Sequence, residues 1–328
     1  MSDTAVLNAR FYRPNTEGDI QHINFMFIHG GLGDYIGYLT SIEWIARTQP
    51  QIKGYLYLPD FFIPIAKNVL KNYLDRWYIG TRLEMTSKEV LKRPTCAPYK
   101  NITRVGMNAV ELGYVYFMAM NPAPEDGYYY TKLDLSEVPL WGQVGHSPYA
   151  VMTPYSTNKN RTMTAQAFNG VKNYLLEKGI TPVFVGKKDF VINRKNIDLA
   201  EGYDFTGGVD LSGKTNLLEA AKLMSHAKMV IGIDNGLLHL AAMTDVPIIF
   251  GFTMASPEHA EPRRKDNPVY RIFPDVTSLP CTFCQSQMRF FRKTVDFTTC
   301  VYEDNLCTKV IGEPKDWTVL IDRVLRHG

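Results

Sequence analysis

The chain has 328 residues, 45% of them hydrophobic and 21% charged, with a net charge of +3. That composition supplies apolar material for two cores, and no apolar run reaches the roughly 18 residues that a membrane span needs. The small positive charge permits an anionic partner without requiring one.

In chain order, a polar leader, Met1 to His22, lacks the apolar core of a signal peptide, so a cytoplasmic protein is expected. Ile23 to His29 is predicted to be a buried strand. Tyr35 to Arg47 follows as a helix with Ile36, Leu39, Ile42 and Ile45 at helical spacing. Gly54 to Pro59 is a second strand, Phe61 to Leu74 a helix, Arg76 to Gly80 a third strand, and Asn108 to Met120 an aromatic-rich helix. Asn121 to Pro148 is dense in Pro and Gly and reads as a linker.

The pattern then restarts. Strands are expected at Tyr149 to Ser156, Thr181 to Gly186, Met229 to Asp234 and Pro247 to Phe252, with helices at Thr164 to Lys178, Asn216 to Ala227 and Gly236 to Met243. Strands alternating with helices in two successive runs predict two doubly wound α/β domains with parallel sheets. The boundaries read as a leader over 1–22, an N-terminal domain with linker over 23–148, and a C-terminal domain over 149–328. The last includes a cysteine-rich tail and a terminal helix.

The turn after the first strand contains Gly30, Gly31, Gly33 and Asp34. Glycine tolerates positive φ and lets a ligand approach the backbone, where free N–H groups favour negative charge. The spacing is not G-x-G-x-x-G, so hydride transfer is poorly supported. Asp34 either caps the helix or faces a ligand. In the second half, Ser156, Thr157, Lys159 and Arg161 follow a strand end and supply hydroxyls and cations for a diphosphate. Asp210 and Gly213 lie in a polar turn. Asp234 and Asn235 end a strand, Gly236 opens a helix whose N–H groups would attract an anion, and His239 lies one turn on.

These segments together resemble glycosyltransferase family 9, the heptosyltransferases. The likeness runs from about residue 23 onward and is strongest over Tyr149 to Pro257, where Asp234, Gly236, His239, Ala241 and Ala242 form a D-x-G-x-H-x-A-A pattern. Two residues, Leu237 and Leu238, separate Gly236 from His239, so the full spacing is D-x-G-x-x-H-x-A-A. The likeness implies a GT-B fold, two Rossmann-like domains facing across a cleft. It also implies a nucleotide-sugar donor on the C-terminal domain, an acceptor on the N-terminal one, and inversion without a catalytic metal or cofactor; the sequence has no D-x-D motif. In that reading Asp34 is the base, Lys159, Arg161 and the helix start at Gly236 stabilise the leaving diphosphate, and Asp234 holds sugar hydroxyls.

The acceptor expected from the resemblance is a lipopolysaccharide core or another envelope glycan or glycolipid, recognised in an N-terminal half rich in aromatic stretches such as Tyr114 to Met118 and Tyr128 to Tyr130. An acceptor in DNA is the alternative, since Gln287 to Lys293 joins basic and aromatic residues. A non-catalytic nucleotide- or glycan-binding protein, or a GT-B epimerase, are the other classes. Cys281, Cys284, Cys300 and Cys307 pair as C-x2-C and C-x6-C, which suits either a structural zinc or reduced thiols.

Overall fold

The computed structural model describes residues 21–27, 30–86, 93–96, 107–118, 123–144, 147–156, 159–192, 195–279, 281–286, 300 and 306–327. The chain divides into two compact units, Met1–Ser136 and Glu137–Gly328, which meet in sequence inside the expected linker.

The first unit is built on a parallel sheet of β1 (Gln21–Met26), β2 (Ile52–Leu58), β3 (Trp77–Thr81) and β4 (Thr95–Cys96), in the order β3-β2-β1-β4. Side chains alternate across a strand. Ile23 and Phe25 of β1, with Phe27 just beyond it, are buried on one face. Against them lie α1 (Leu32–Thr48) and α3 (Ala109–Met118), which pack on each other, while α2 (Ile63–Val69) follows β2 and packs on β3. The core is aromatic: Phe25 stacks on Trp77 with ring centroids 5.3 Å apart, and Phe117 lies against Phe27 and Tyr38. Tyr114 and Phe117 are therefore core residues. Both are buried, so this part of the aromatic-rich N-terminal half serves packing.

The second unit carries a six-stranded parallel sheet of β5 (Tyr149–Thr153), β6 (Thr181–Phe184), β9 (Val209–Asp210), β10 (Val230–Ile233), β11 (Ile248–Gly251) and β12 (Val269–Ile272). Its order is β12-β11-β10-β5-β6-β9. An antiparallel hairpin, β7 (Asp189–Ile192) and β8 (Lys195–Asp198), is inserted after β6. The helices are α4 (Ala165–Glu177), α5 (Leu217–His226), α6 (Gly236–Ala241), α7 (Pro257–Ala260), α8 (Leu306–Val310) and α9 (Pro314–His327). Asn216 caps α5 and accepts from Glu219 N–H, while Glu219 accepts from the Asn216 N–H, a capping box that fixes where the helix starts. Buried Trp317 of α9 donates from Nε1 to the Ile311 carbonyl at 2.7 Å and lies in one core with Phe168 of α4 and Ile249 of β11.

Numbered within each unit, the strand orders are 3-2-1-4 and 3-2-1-4-5-6. In a sheet of this order the chain reverses direction between the first and fourth strands, and the crevice beyond their carboxyl ends is where ligands bind. That singles out the ends of β1 and β4 in one unit, and of β5 and β10 in the other.

Gly54 of β2 tests the aromatic core. A Cβ there would lie 2.3 Å from the Trp77 ring, far inside contact distance. Gly54→Ala is expected to cost about 1–3 kcal/mol through overpacking, read as a lower urea midpoint at unchanged slope. An unchanged midpoint would show that Trp77 moves aside freely.

Candidate active site

The turn from β1 to α1 is ordered by Asp34. The helix begins earlier than the sequence pattern suggests, so its N-cap is Gly31 and Asp34 is the third helical residue. One carboxylate oxygen accepts the Gly31 N–H at 2.8 Å. Gly30 has φ +124°, and a Cβ on it would lie 2.6 Å from the Asp34 Cβ. Only glycine meets both conditions. Gly31 faces open space, with nothing within 4 Å of where a Cβ would be. Gly33 and Asp34 are half-buried in the first helical turn, and Ile28 and His29 lie outside the described residues.

Three further residues border this turn, and the sequence pattern did not single them out. Arg82, just past β3, donates from Nη2 to the Tyr35 hydroxyl at 2.7 Å. The Tyr35 ring also meets Phe61, which follows β2 and remains 56% exposed. Their signal is positional: each follows, or neighbours, the carboxyl end of a parallel strand.

In the second unit the ends of β5 and β10 are held together by Asn235. Its Nδ2 donates to the carbonyls of Thr153 at 2.7 Å and Tyr155 at 3.0 Å, and its Oδ1 accepts from the N–H groups of Leu237 and Leu238. Both ends of this side chain are thus engaged by the protein, which makes it a positioning residue. It also corrects the expectation of an open helix start at Gly236. Two N–H groups of the first turn of α6 are capped, and the helix is only six residues long.

Asp234, nearly buried, accepts from Nη1 of Arg161 at 3.2 Å. Arg161 closes a short 3-10 turn, Lys159–Arg161, inside a loop tied to itself by Met163 N–H to the Pro154 carbonyl and by Thr162 to Ser156. Ser156 is buried within that loop and His239 is buried on α6. Thr157 lies outside the described residues.

Asp210 and Gly213 lie at and just past the end of the edge strand β9. There Asp210 pairs with Lys188 and accepts the Ser212 N–H at 3.0 Å. Burial pushes its pKa up, but the hydrogen bonds from Lys188 and Ser212 outweigh this and hold it below the usual range. Gly213, with φ +71°, donates to the Gly186 carbonyl at 2.7 Å. A Cβ on Gly186 would in turn lie 3.0 Å from the Tyr155 ring and 3.5 Å from Leu237, so this turn borders the segments that follow β5 and β10.

Residues 128–285 match glycosyltransferase family 9 (heptosyltransferase). That segment is a glycosyltransferase family 9 domain. No curated protein matches the chain. Among solved structures, the iron-containing dodecameric glycosyltransferase TibC from enterotoxigenic E. coli H10407 superposes with a TM-score of 0.72 at 16% identity, over 94% of this chain and 77% of TibC. A family 9 glycosyltransferase from Veillonella parvula DSM 2008 gives 0.62 at 13% identity, over 98% and 100%. The E. coli ADP-heptose lipopolysaccharide heptosyltransferase II gives 0.52 at 15%, over 77% and 90%. The fold is GT-B, and with its family 9 segment the chain is a heptosyltransferase-like glycosyltransferase. Among the described residues no helix is long and apolar enough to cross a membrane.

The cysteines of this glycosyltransferase are free thiols, with Cys96 buried in β4. Cys281, Cys284, Cys300 and Cys307 lie close enough to act on one another electrically. Burial first, and the neighbouring thiols second, push the Cys284 pKa from 9.0 to about 11 and that of Cys307 to about 12. Phe283, between the first two, has φ +62°, a left-handed bend that only short tight turns tolerate in a bulky residue. Four thiols suit a soft metal such as zinc or iron. Among the described residues, though, no three His, Cys, Asp or Glu side chains are gathered to coordinate one.

These shifts have a pH consequence. A thiol whose folded pKa is raised contributes stability that is present below its unfolded value and lost as pH rises toward the folded one. Chelator-treated protein is expected to lose urea stability from about pH 9 upward, and Cys284→Ser should flatten that slope. A midpoint constant to pH 11 would show that the thiols are not buried together.

Proposed function

We propose that this glycosyltransferase inverts the anomeric carbon of a nucleotide-diphosphate sugar and transfers it to an acceptor hydroxyl, with no metal ion in the chemical step. The observation that carries the reading is the placement of charge. Asp34 stands at the β1–α1 turn of the first unit, and Arg161 with Asp234 stands at the ends of β5 and β10 in the second.

Asp34 removes the acceptor proton as the hydroxyl oxygen attacks the sugar carbon. Its hydrogen bond from Gly31 N–H fixes the carboxylate's orientation, and the open space at Gly31 admits the acceptor. The bond to the diphosphate breaks with its electrons passing to the leaving oxygen, where Arg161 and Lys159 supply positive charge. Asp234 accepts from hydroxyls of the transferred sugar, and Tyr35, Phe61 and Arg82 form the acceptor's resting surface.

The acceptor is an envelope glycan or glycolipid, in keeping with the lipopolysaccharide heptosyltransferase among the similar structures. The basic and aromatic run from Gln287 to Lys293, on which a DNA acceptor would depend, lies outside the described residues. Complexes of TibC carry ADP-D-β-D-heptose, which makes that compound the first donor to try. The protein works in the cytoplasm, where nucleotide-sugars are made. For Cys281, Cys284, Cys300 and Cys307 two readings stand: a structural metal, which the iron content of TibC favours, and reduced thiols, which agrees with the lack of a gathered ligand set among the described residues.

Asp34→Asn should lower transfer by about 10²- to 10⁴-fold, the usual worth of a general base, with ADP affinity unchanged within a few-fold. Near-normal turnover would reduce Asp34 to a helix cap. Arg161→Ala should weaken ADP binding by at least roughly tenfold, as the loss of a charged hydrogen bond does. Transfer should proceed without added magnesium or manganese; strict dependence on either ion rejects the metal-free step. Elemental analysis decides the cysteines: about one zinc or iron per chain supports a structural site, and a metal-free, stable protein supports reduced thiols.

A further inference from the structure

The cysteine-bearing tail touches the donor loop at two separate places. The first is a strap. The Phe283 N–H donates to the Thr253 carbonyl at 3.0 Å and the Gln285 N–H to the Met254 carbonyl at 2.9 Å. The Ser256 N–H donates to the Ser286 hydroxyl at 3.0 Å. The segment carrying Cys281 and Cys284 is thereby pinned to residues 253–256, just beyond β11. Thr253, fully buried, passes the contact on, because its hydroxyl donates at 2.9 Å to the carbonyl of Asn160. Asn160 is the middle residue of the turn that ends in Arg161.

The second contact comes from the other cysteine pair. Helix α8, which carries Cys307, packs directly on the Lys159–Arg161 turn. The chain leaving α8 continues along the same loop, and a Cβ on Gly312 would lie 2.8 Å from the hydroxyl of Thr164, the cap of α4.

We infer that the thiol-bearing segments are a buttress for the donor turn, and that Thr253 is the positioning residue through which the Cys281–Ser286 segment holds Arg161 against Asp234. A short 3-10 turn has few hydrogen bonds of its own, so its position depends on what packs around it. Whatever joins or separates the thiols, a bound metal or an oxidant, then reaches the guanidinium through the Thr253 hydroxyl and through α8. The inference rests on Arg161 being a donor contact only for its catalytic consequence; the mechanical link stands on the hydrogen bonds above.

Three variants of the full chain test it: Thr253→Val, which keeps shape and removes the hydroxyl, Thr253→Ser, which keeps the hydroxyl, and Cys284→Ser. Amide hydrogen exchange over residues 159–163 reads the link itself. Thr253→Val and Cys284→Ser should speed exchange there while α5 and β10 stay protected, and Thr253→Ser should match the parent protein. ADP titration reads the consequence. Thr253→Val should weaken binding roughly three- to tenfold, the worth of one buried hydrogen bond. It should add little in an Arg161→Ala background, because the two act as one unit.

Unchanged exchange at 159–163 in Thr253→Val, or a loss that Thr253→Ser shares fully, overturns the buttress. A parent protein that fails to bind ADP overturns the donor reading instead, and the exchange data still decide the link.

Discussion

A carboxylate that is almost buried has to be answered by a positive charge, because an unpaired ion in a protein interior costs several kcal/mol. Asp234 is that carboxylate, and Arg161 is the answer. The rest of the second unit can be read as the means of bringing them together. Strand β10 delivers Asp234 to the sheet's point of reversal, and Asn235 locks the end of β10 to the end of β5. The loop leaving β5 returns Arg161 over the same spot. Guanidinium has five donors in a rigid fork. One of them on Asp234 leaves the group able to meet phosphate oxygens without breaking the pair, so the same residue can neutralise a buried acid and a leaving group.

Much of this fold was legible in the sequence, and the omissions have a common cause. Long elements with sustained periodicity, such as α1 and α4, or with a bounded apolar run, such as β5 and β11, fall where they were expected within a few residues. The missed strands are short or carry little pattern: β4 and β9 have two residues each, β12 has a polar, partly exposed face, and the β7–β8 hairpin holds residues such as Asp189, Lys195 and Asn196. Their place is set by the neighbouring strand rather than by their own side chains.

The site was legible in its parts but not in its arrangement. Gly30 and Asp34 could be seen as a turn and a carboxylate, yet the sequence did not show that Gly30 must be small because Asp34 folds back over it. Asp210 and Asp234 were read from one stretch of sequence, and the strand order places them at the ends of different strands, β9 and β10. Arg82 and Phe61 were invisible as site residues because nothing local marks them; only the parallel sheet brings the ends of β2 and β3 beside the end of β1. Tyr114 and Phe117 show the opposite limit, since an aromatic-rich helix looks the same in sequence whether it binds a ligand or fills a core, and these two are buried.

The cap on α6 changes how the chemistry can be stabilised. An uncapped helix start offers several N–H groups to an anion. Here Asn235 takes those of Leu237 and Leu238, and its other end is needed to join β5 to β10. Releasing these N–H groups for a phosphate would disturb the side chain that joins the ends of β5 and β10. With two N–H groups taken, the helix start has less to offer an anion, and in the proposed reaction side-chain cations carry more of the burden. A side chain can move where a helix start cannot, so precision has to come from its surroundings. That is why a loop holding Arg161 would be strapped from β11 through Thr253 and pressed by α8. The capped helix and the strapped turn meet at one place, the ends of β5 and β10, where the order of the sheet reverses.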